Sequence, residues 1–270
     1  KKVEKLLNGE NPYQTPAYLC SDLNSGSSEY SLGEFKRISG EVPCYTNLAD
    51  MDNLLNTLYL VSKAFYKYYS KVPYISIAAK HGNPCGLSID WSSPESTIEK
   101  ALWGNPTAIW GGEFVANFTI NENCANLLYE SEEREKYAGR SKWMLDVIAI
   151  PHIEKRALEI LGSRKRTKLL TNESLFKPEL AGNLEVIKTV RGGFLIQPSN
   201  SFVLDISKME WSQPPPNSLV ESSIIAWSVA YSSFHGGNEV AVAKDGNLVG
   251  VGGGPFTVDA AKIAVWRAKE

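Results

Sequence analysis

The sequence contains no CxxC pair; its four cysteines stand alone at positions 20, 44, 85 and 124. That spacing offers no disulfide framework and reads as a reduced, cytoplasmic protein. No apolar run approaches the roughly 20 residues that a membrane helix needs. No signal peptide opens the chain. Charge of one sign is not in excess either: 28 Lys and Arg face 30 Asp and Glu, a net charge of −2. A general electrostatic attraction to nucleic acid or to an anionic membrane is therefore not expected. Histidine is scarce, with only His81, His152 and His235. With cysteines so scattered, no metal site is expected, and the zinc-deaminase combination of HxE with PCxxC does not occur. The chain starts at Lys1 without a methionine and stops at Glu270, as a fragment would.

What the sequence does have is apolar content, 43% over 270 residues. That suffices for one large domain or two modest ones. Strand-like and helix-like segments alternate, which argues an α/β fold. Apolar residues at Leu54, Leu55, Leu58, Val61 and Phe65 predict a helix over Met51 to Tyr69, capped by Asp50 or Asp52. Tyr74 to Ala79 reads as a buried strand after Pro73, and Glu95 to Leu102 as a short helix closed by Gly104 and Pro106. Phe114 to Phe118 and Met144 to Ile150 are further strands, and Ile153 to Leu161 a helix stopped by Gly162. A second cycle follows. Leu184 to Val190 and Phe194 to Gln197 are strand candidates around Gly192 and Gly193. Gln213-Pro214-Pro215-Pro216 is a loop, and Leu219 to Tyr231 a helix. Glu239 to Ala243 and Leu248 to Val251 form a hairpin across Asp245-Gly246, before a closing helix over Val258 to Lys269.

Chemistry concentrates in Ala79-Lys80-His81-Gly82-Asn83-Pro84-Cys85-Gly86, which follows a predicted strand. Strand ends are where α/β proteins carry their sites. Lys80 supplies a positive charge and His81 a base that titrates near neutrality, a pair suited to proton transfer with oxyanion stabilisation. The alternative is a solvated lysine and a loop-capping histidine. Asn8-Gly9-Glu10-Asn11-Pro12-Tyr13-Gln14 reads as a polar loop. The glycines of Gly250-Val251-Gly252-Gly253-Gly254 lie between strand and helix, where backbone N–H groups can cradle phosphate. Pro255 stands where a dinucleotide fingerprint needs its third glycine, so that match is weak. His235 adjoins Gly236-Gly237 and is a lining candidate, His152 reads as structural, and Cys85 as a packed thiol. Sequons at Asn117 and Asn172 carry no weight without a secretory signal.

Taken together, these blocks resemble the transformylase domain of the bifunctional AICAR transformylase/IMP cyclohydrolase family. Leu6 to Gln14 (LLNGENPYQ) resembles LRYGENPHQ, and Tyr45 to Asn53 (YTNLADMDN) resembles YNNLLDxxA. Lys80 to Gly86 (KHGNPCG) is similar to KHxNPCG, and Ile109 to Asn117 (IWGGEFVAN) to SAFGGIIAFN. Asp146 to Leu161 resembles EVIxAPxxxxEALxIL, and Asn238 to Ile263 resembles SNAIVxAKDGxxxGIGAGQxSRxDSARIA. The blocks keep the family's order over nearly the whole chain. The resemblance implies two cytidine-deaminase-like three-layer α/β subdomains without zinc, at residues 1–175 and 176–270, the second incomplete. It implies a homodimer with active sites at the subunit interface. It also implies formyl transfer from 10-formyltetrahydrofolate, a co-substrate, to a small-molecule amine. The catalytic positions fall on Lys80, His81 and Asn238. The matched motifs imply substrate contacts at Asn11, Gln14, Gly111, Gly112, Glu113, Gly252 and Gly254.

The departures from the family pattern fall on the nucleotide-holding positions. The arginine and tyrosine of LRYG are Leu7 and Asn8, and the lysine-serine before the asparagine is Gly236-Gly237. Gly254-Pro255-Phe256-Thr257-Val258 replaces GQxSRV, one residue shorter, and Trp110 enters the GG motif. The family's C-terminal FFPF segment and its N-terminal cyclohydrolase domain have no counterpart in the 270 residues. Arginine forks are the preferred phosphate ligands. Two are gone while the catalytic pair is kept, which points to a changed acceptor without the ribose phosphate. A diverged transformylase that holds phosphate through other residues such as Arg191, and a non-catalytic paralogue with a binding or regulatory role, are the alternatives.

Overall fold

The computed structural model describes residues 2–20, 28–181, 185–199 and 202–269. The predicted strand start at Leu184 lies outside the described residues. β1 (Lys2–Leu6) and β2 (Ala17–Cys20) form a separate antiparallel hairpin. Then come β3 (Lys36–Ser39), α1 (Tyr45–Tyr69), β4 (Tyr74–Lys80), β5 (Asn83–Asp90), α2 (Pro94–Trp103) and β6 (Glu113–Ala116). α3 (Glu122–Tyr129), α4 (Glu132–Ala138), β7 (Val147–Ile150), α5 (Lys155–Leu161) and β8 (Lys168–Thr171) follow. β9 (Glu185–Val190) and β10 (Gly193–Pro198) pair as a second separate hairpin. α6 (Asn217–Ser232), β11 (Asn238–Lys244), β12 (Asn247–Gly254) and α7 (Thr257–Arg267) complete the described elements. The result is a mixed α/β protein, as expected from the alternating pattern.

Eight strands make one sheet in the order β11-β12-β5-β4-β6-β7-β8-β3. Among the described strands, only β6, β7 and β8 run parallel to one another. The central strands are covered on both faces, so β4 reads as a continuous apolar run rather than an alternating one. On one face Leu54, Leu58, Val61 and Phe65 of α1 and Ile224, Ile225 and Val229 of α6 share a core with Ile75, Ile77 and Val115. On the other, Ile98 and Leu102 of α2, Leu128 of α3 and Leu161 of α5 pack with Ala78, Phe114 and Ile148. Helices therefore form a layer on each side of the sheet.

Three sequence expectations are corrected. α1 begins at Tyr45, six residues before the predicted start, and Cys44 rather than Asp50 or Asp52 is its N-cap. The Cys44 N–H donates to Asn47 Oδ1 at 3.2 Å, and Tyr45 N–H donates to the Asn8 carbonyl at 2.9 Å. The first turn thus binds the N-terminal loop, and the burial that continues at Met51 and Leu54 already begins within it at Leu48. α3 and α4 have no counterpart among the elements expected from the sequence. Their caps are local: Asn121 accepts from Cys124 N–H, and Ser131 from Arg134 N–H. The polar loop after β4 is a two-residue turn, since Asn83-Pro84-Cys85-Gly86 already belongs to β5.

The glycines of β12 answer to packing. A Cβ at Gly250 would lie 2.2 Å from the Ala264 carbonyl oxygen, and one at Gly252 would lie 2.3 Å from that of Ala260, both in α7. Gly252→Ala must push the α7 backbone off the sheet. It is expected to destabilise the protein by about 1–3 kcal/mol, the usual range for overpacking. A urea midpoint unchanged from the parent would contradict this packing account.

Candidate active site

Lys80 and Asn83 are register partners at the end of the β4–β5 hairpin, which leaves His81 and Gly82 as the whole turn. Their φ angles are +53° and +68°. Both positive values match the type I′ turn favoured between two antiparallel strands. Glycine adopts that conformation freely. Histidine does so at a cost of about 1–2 kcal/mol, a kind of strain that gathers at functional sites. The turn is wedged between two elements: a Cβ on Gly82 would lie 2.6 Å from Asn53 Nδ2 of α1 and 3.2 Å from the Phe234 ring. Phe234 N–H donates to Asn83 Oδ1 at 2.9 Å, and Asn83 Nδ2 donates to the His81 carbonyl at 3.1 Å. His81 is exposed and Lys80 half-buried.

Lys80 Nζ donates to the Gly111 carbonyl at 2.5 Å. Gly111 has φ +66° and lies just before β6. A Cβ there would sit 3.1 Å from Lys80 Nζ and about 4 Å from both Asp146 carboxyl oxygens. Gly112 is a close-approach residue, since its Cβ would lie 2.2 Å from the Ala79 carbonyl oxygen. Glu113 opens β6 and is 3% exposed. Burial, reinforced by Asp50 and Asp146 and opposed by Lys80, pushes its carboxyl up to about 9. Asp50 of α1 is also raised by burial, while His81 and Lys80 pull it down. The Cys85 thiol is pushed up to about 12, chiefly by burial, as suits a packed thiol.

Asn238 reaches this end of the sheet from the far half of the chain. It is the register partner of Gly254, and β12 pairs with β5 at Asn247 and Ser88. Seven residues onward from Asn247 is Gly254, and seven back from Ser88 is His81, so both lie toward the same sheet end. Asn238 Nδ2 donates to the Gly254 carbonyl at 3.1 Å, and its Oδ1 accepts from Thr257 Oγ1 at 2.7 Å. One Nδ2 hydrogen remains beyond those two bonds. Asn11 and Gln14 fold on each other: Gln14 Oε1 accepts from the Asn11 backbone at 2.7 Å and from its side chain at 2.9 Å. Both are exposed on the loop whose Asn8 carbonyl meets the start of α1. Gly252 lies under α7, whereas nothing stands within 4 Å of a Cβ built at Gly254. Arg191 occupies the exposed turn of the β9–β10 hairpin.

Several polar residues at this end were not site candidates in the sequence. Asp50 reads there as a helix cap and Asp146 opens the segment that resembles EVIxAPxxxxEALxIL, and only the fold brings both toward Lys80. Glu239 is a second case. Its carboxylate accepts from the His235 backbone at 2.5 Å and meets His235 Nδ1 at 2.7 Å, which leaves Nε2 as the open ring nitrogen. Trp110, beside Gly111, carries the Arg140 guanidinium 4.3 Å over its ring. The triplet His152-Ile153-Glu154 has the HxE spacing, but His152 is exposed ahead of α5. Among the described residues no group of three or more His, Cys, Asp or Glu side chains is arranged to hold a metal ion. Among them, too, no helix is long and apolar enough to cross a membrane.

Fold and site together define an α/β protein with a polar centre at one end of a mixed sheet, built on a Lys-His hairpin turn. The sequence profile of the family described as AICARFT/IMPCHase bienzyme matches residues 1–267, and the chain belongs to that family. It is 30% identical over 270 residues to the bifunctional purine biosynthesis protein PurH of Anoxybacillus flavithermus, covering 99% of this chain and 47% of that protein. The PurH of Fusobacterium nucleatum is 30% identical over 272 residues, covering 100% of this chain and 47% of the relative. That of Clostridium botulinum is 26% identical over 270 residues, covering 100% and 46%. The chain spans about half the length of the curated relatives it matches.

Proposed function

We propose that the chain transfers a formyl group from 10-formyltetrahydrofolate to the amine of a small-molecule acceptor, in the manner of an AICAR transformylase. The observation that carries this reading is the convergence of Lys80, His81 and Asn238 at one sheet end, in a chain of the AICARFT/IMPCHase family. The acceptor nitrogen attacks the formyl carbon and gives up its proton to His81. The Lys80 ammonium and the remaining Asn238 N–H stabilise the carbonyl oxygen as it becomes negative. The bond from the formyl carbon to the folate nitrogen then breaks, and that nitrogen takes a proton as tetrahydrofolate leaves.

The reading includes two cytidine-deaminase-like units, 1–175 and 176–270. The two units would meet where β12 pairs with β5 at Asn247 and Ser88 and where α1 and α6 share one core. A homodimer is supported by the β9–β10 hairpin. This two-stranded sheet stands apart from the large one, yet Ile187, Phe194, Leu195 and Ile196 are each about 60% exposed on it. An isolated hairpin is marginal in water, so apolar cover from a second copy would stabilise it. Free thiols at all four cysteines suit a cytoplasmic setting.

The acceptor reading favoured by the surface is an amine other than AICAR. Leu7 and Phe256, both 57% exposed, stand where the resembled motifs carry phosphate-holding groups. Losing two charge-assisted hydrogen bonds costs about 3 kcal/mol or more, a hundredfold in affinity. The test is tetrahydrofolate release from 10-formyltetrahydrofolate with AICAR and with phosphate-free amines, run on protein that sediments as a dimer. Turnover with an AICAR KM in the millimolar range is the expected result. A micromolar KM would return AICAR as the acceptor, and no release with any amine would remove formyl transfer itself.

A further inference from the structure

Departures from the resembled block cluster around Asn238. Its lysine-serine is Gly236-Gly237 here, and the alanine after its asparagine is Glu239. These replacements act together on His235. Gly236 and Gly237 have φ +142° and +111°, values that favour glycine, and the chain doubles back there so that residues 235 and 239 meet. Glu239 Oε1 accepts from the His235 backbone N–H at 2.5 Å, and Oε2 lies 2.7 Å from Nδ1. The Glu239 side chain is 9% exposed, and both its oxygens are spent on one residue. Room for the pair comes from the facing strand. A Cβ at Gly253, the register partner of Glu239, would lie 2.3 Å from His235 Cβ and 2.4 Å from Glu239 Oε2. An ionised carboxylate only accepts, so Nδ1 carries the shared proton and Nε2 is left for other partners. Among the described residues no hydrogen bond engages Nε2, and the His235 side chain is 29% exposed. The pair also adjoins the Lys80–His81 turn. Phe234, the residue before His235, donates its N–H to Asn83 Oδ1 at 2.9 Å, and its ring lies 3.2 Å from the Cβ position of Gly82. Asn238, the residue before Glu239, is bonded to the Gly254 carbonyl.

We propose that His235 is a second catalytic residue of this site, the source of the proton that the folate nitrogen takes as it leaves, with Glu239 as its positioning residue. That role rests on the formyl-transfer reading, in which His81 takes the proton of the acceptor amine and the second proton has no assigned source. As the bond between the formyl carbon and the folate nitrogen breaks, its electron pair goes to that nitrogen. The proton on Nε2 of the His235 imidazolium passes to the same nitrogen. The ring is left neutral, with its remaining proton on Nδ1 and still bonded to Glu239. Nε2 regains a proton from solvent, and His81 returns one to solvent, before the next turnover. Glu239 fixes the ring so that Nε2, not Nδ1, faces outward, and its negative charge balances the imidazolium.

His235→Asn separates the chemistry from the structure. The asparagine amide nitrogen stands in for Nδ1 and can still donate to Glu239, but nothing replaces Nε2. The kcat for tetrahydrofolate release should fall about 10²-fold or more, as expected for loss of a positioned acid, with the KM for 10-formyltetrahydrofolate unchanged. Glu239→Gln keeps the shape, but its amide donates to Nδ1 and moves the ring proton to Nε2. It should lower kcat about tenfold or more, as the wrong tautomer does when a histidine loses its carboxylate. Long-range proton–nitrogen-15 correlation spectra read the pairing without any substrate, the His235 ring being assigned by its absence in His235→Asn. In the parent Nδ1 should carry a proton, and in Glu239→Gln the neutral ring should carry it on Nε2. Parent-like kcat in His235→Asn would overturn the catalytic role, and an unprotonated Nδ1 in the parent would overturn the positioning by Glu239. Absence of turnover in the parent would remove formyl transfer and with it the destination of this proton, while the spectra would still decide the Glu239–His235 pairing.

Discussion

His81→Gly is expected to lower the rate of tetrahydrofolate release by about 10²–10⁴-fold, the range that a positioned general base contributes. Glycine is the informative replacement because His81 has φ +53°. The substitution removes the imidazole and also relieves the left-handed strain. Relief of about 1–2 kcal/mol is offset by the 0.5–1 kcal/mol of extra backbone entropy that glycine loses on folding. Stability should therefore be unchanged or rise by up to about 1.5 kcal/mol, and lost turnover could not be blamed on unfolding. Lys80→Ala is expected to cost about 10²–10³-fold in kcat, like the removal of one oxyanion donor. Its Gly111 carbonyl partner would then be left to solvent. Parallel thermal unfolding and folate release on the same samples separate the two effects. Turnover that survives in both variants would remove Lys80 and His81 from the mechanism.

Glu113→Gln is expected to stabilise the protein, by an amount that grows with pH. Burial raises the folded carboxyl to about 9, against about 4.5 for the free group. Between these values the native state binds a proton that the unfolded state has released. Stability from this group is fully present below pH 4.5 and is lost as pH rises toward 9. One pKa unit corresponds to about 1.4 kcal/mol, so the parent has lost about 3 kcal/mol at pH 7 relative to a side chain that cannot ionise. Glutamine nearly preserves the shape and cannot ionise. Denaturant unfolding of both proteins at pH 5, 7 and 8.5 should show curves close together at pH 5 and separating above it. At pH 7 the variant should melt roughly 6–12 °C higher. A difference that stays constant with pH would mean that Glu113 is ionised in the folded protein.

Of the carboxyl groups toward Lys80, Glu113 was legible only as a substrate contact implied by the family motif, and Asp50 and Asp146 were not legible as site residues; the reason is physical. Asp50 reads as a helix cap in the sequence because a cap is a local property. Glu113 opens β6 and Asp146 just precedes β7, strands whose pairing partners are distant in the chain, and their approach to the end of β4 follows from the β4–β6–β7 order. The same holds for His235 and Glu239. Their spacing of four suggests nothing unless the intervening segment is known to fold back, and two of its residues are glycines at φ +142° and +111°.

Local chemistry written in the chain was enough for the α/β class, the long helices, the strand after Pro73 and the Asp245-Gly246 hairpin. It was also enough for the motif that names the family, since KHGNPCG needs only neighbouring residues to be recognised. Periodicity and turn preference act over a few residues, and so they survive without tertiary context. Three things required the folded sheet. The β12–β5 pairing carries Asn238 to the end where Lys80 and His81 turn. The approach of α7 gives Gly250 and Gly252 a packing role where the sequence suggests a phosphate cradle. The protonation of Glu113 was decided there as well. A carboxyl's charge state depends on how much water and which charges surround it, and both are set by residues brought together from across the chain.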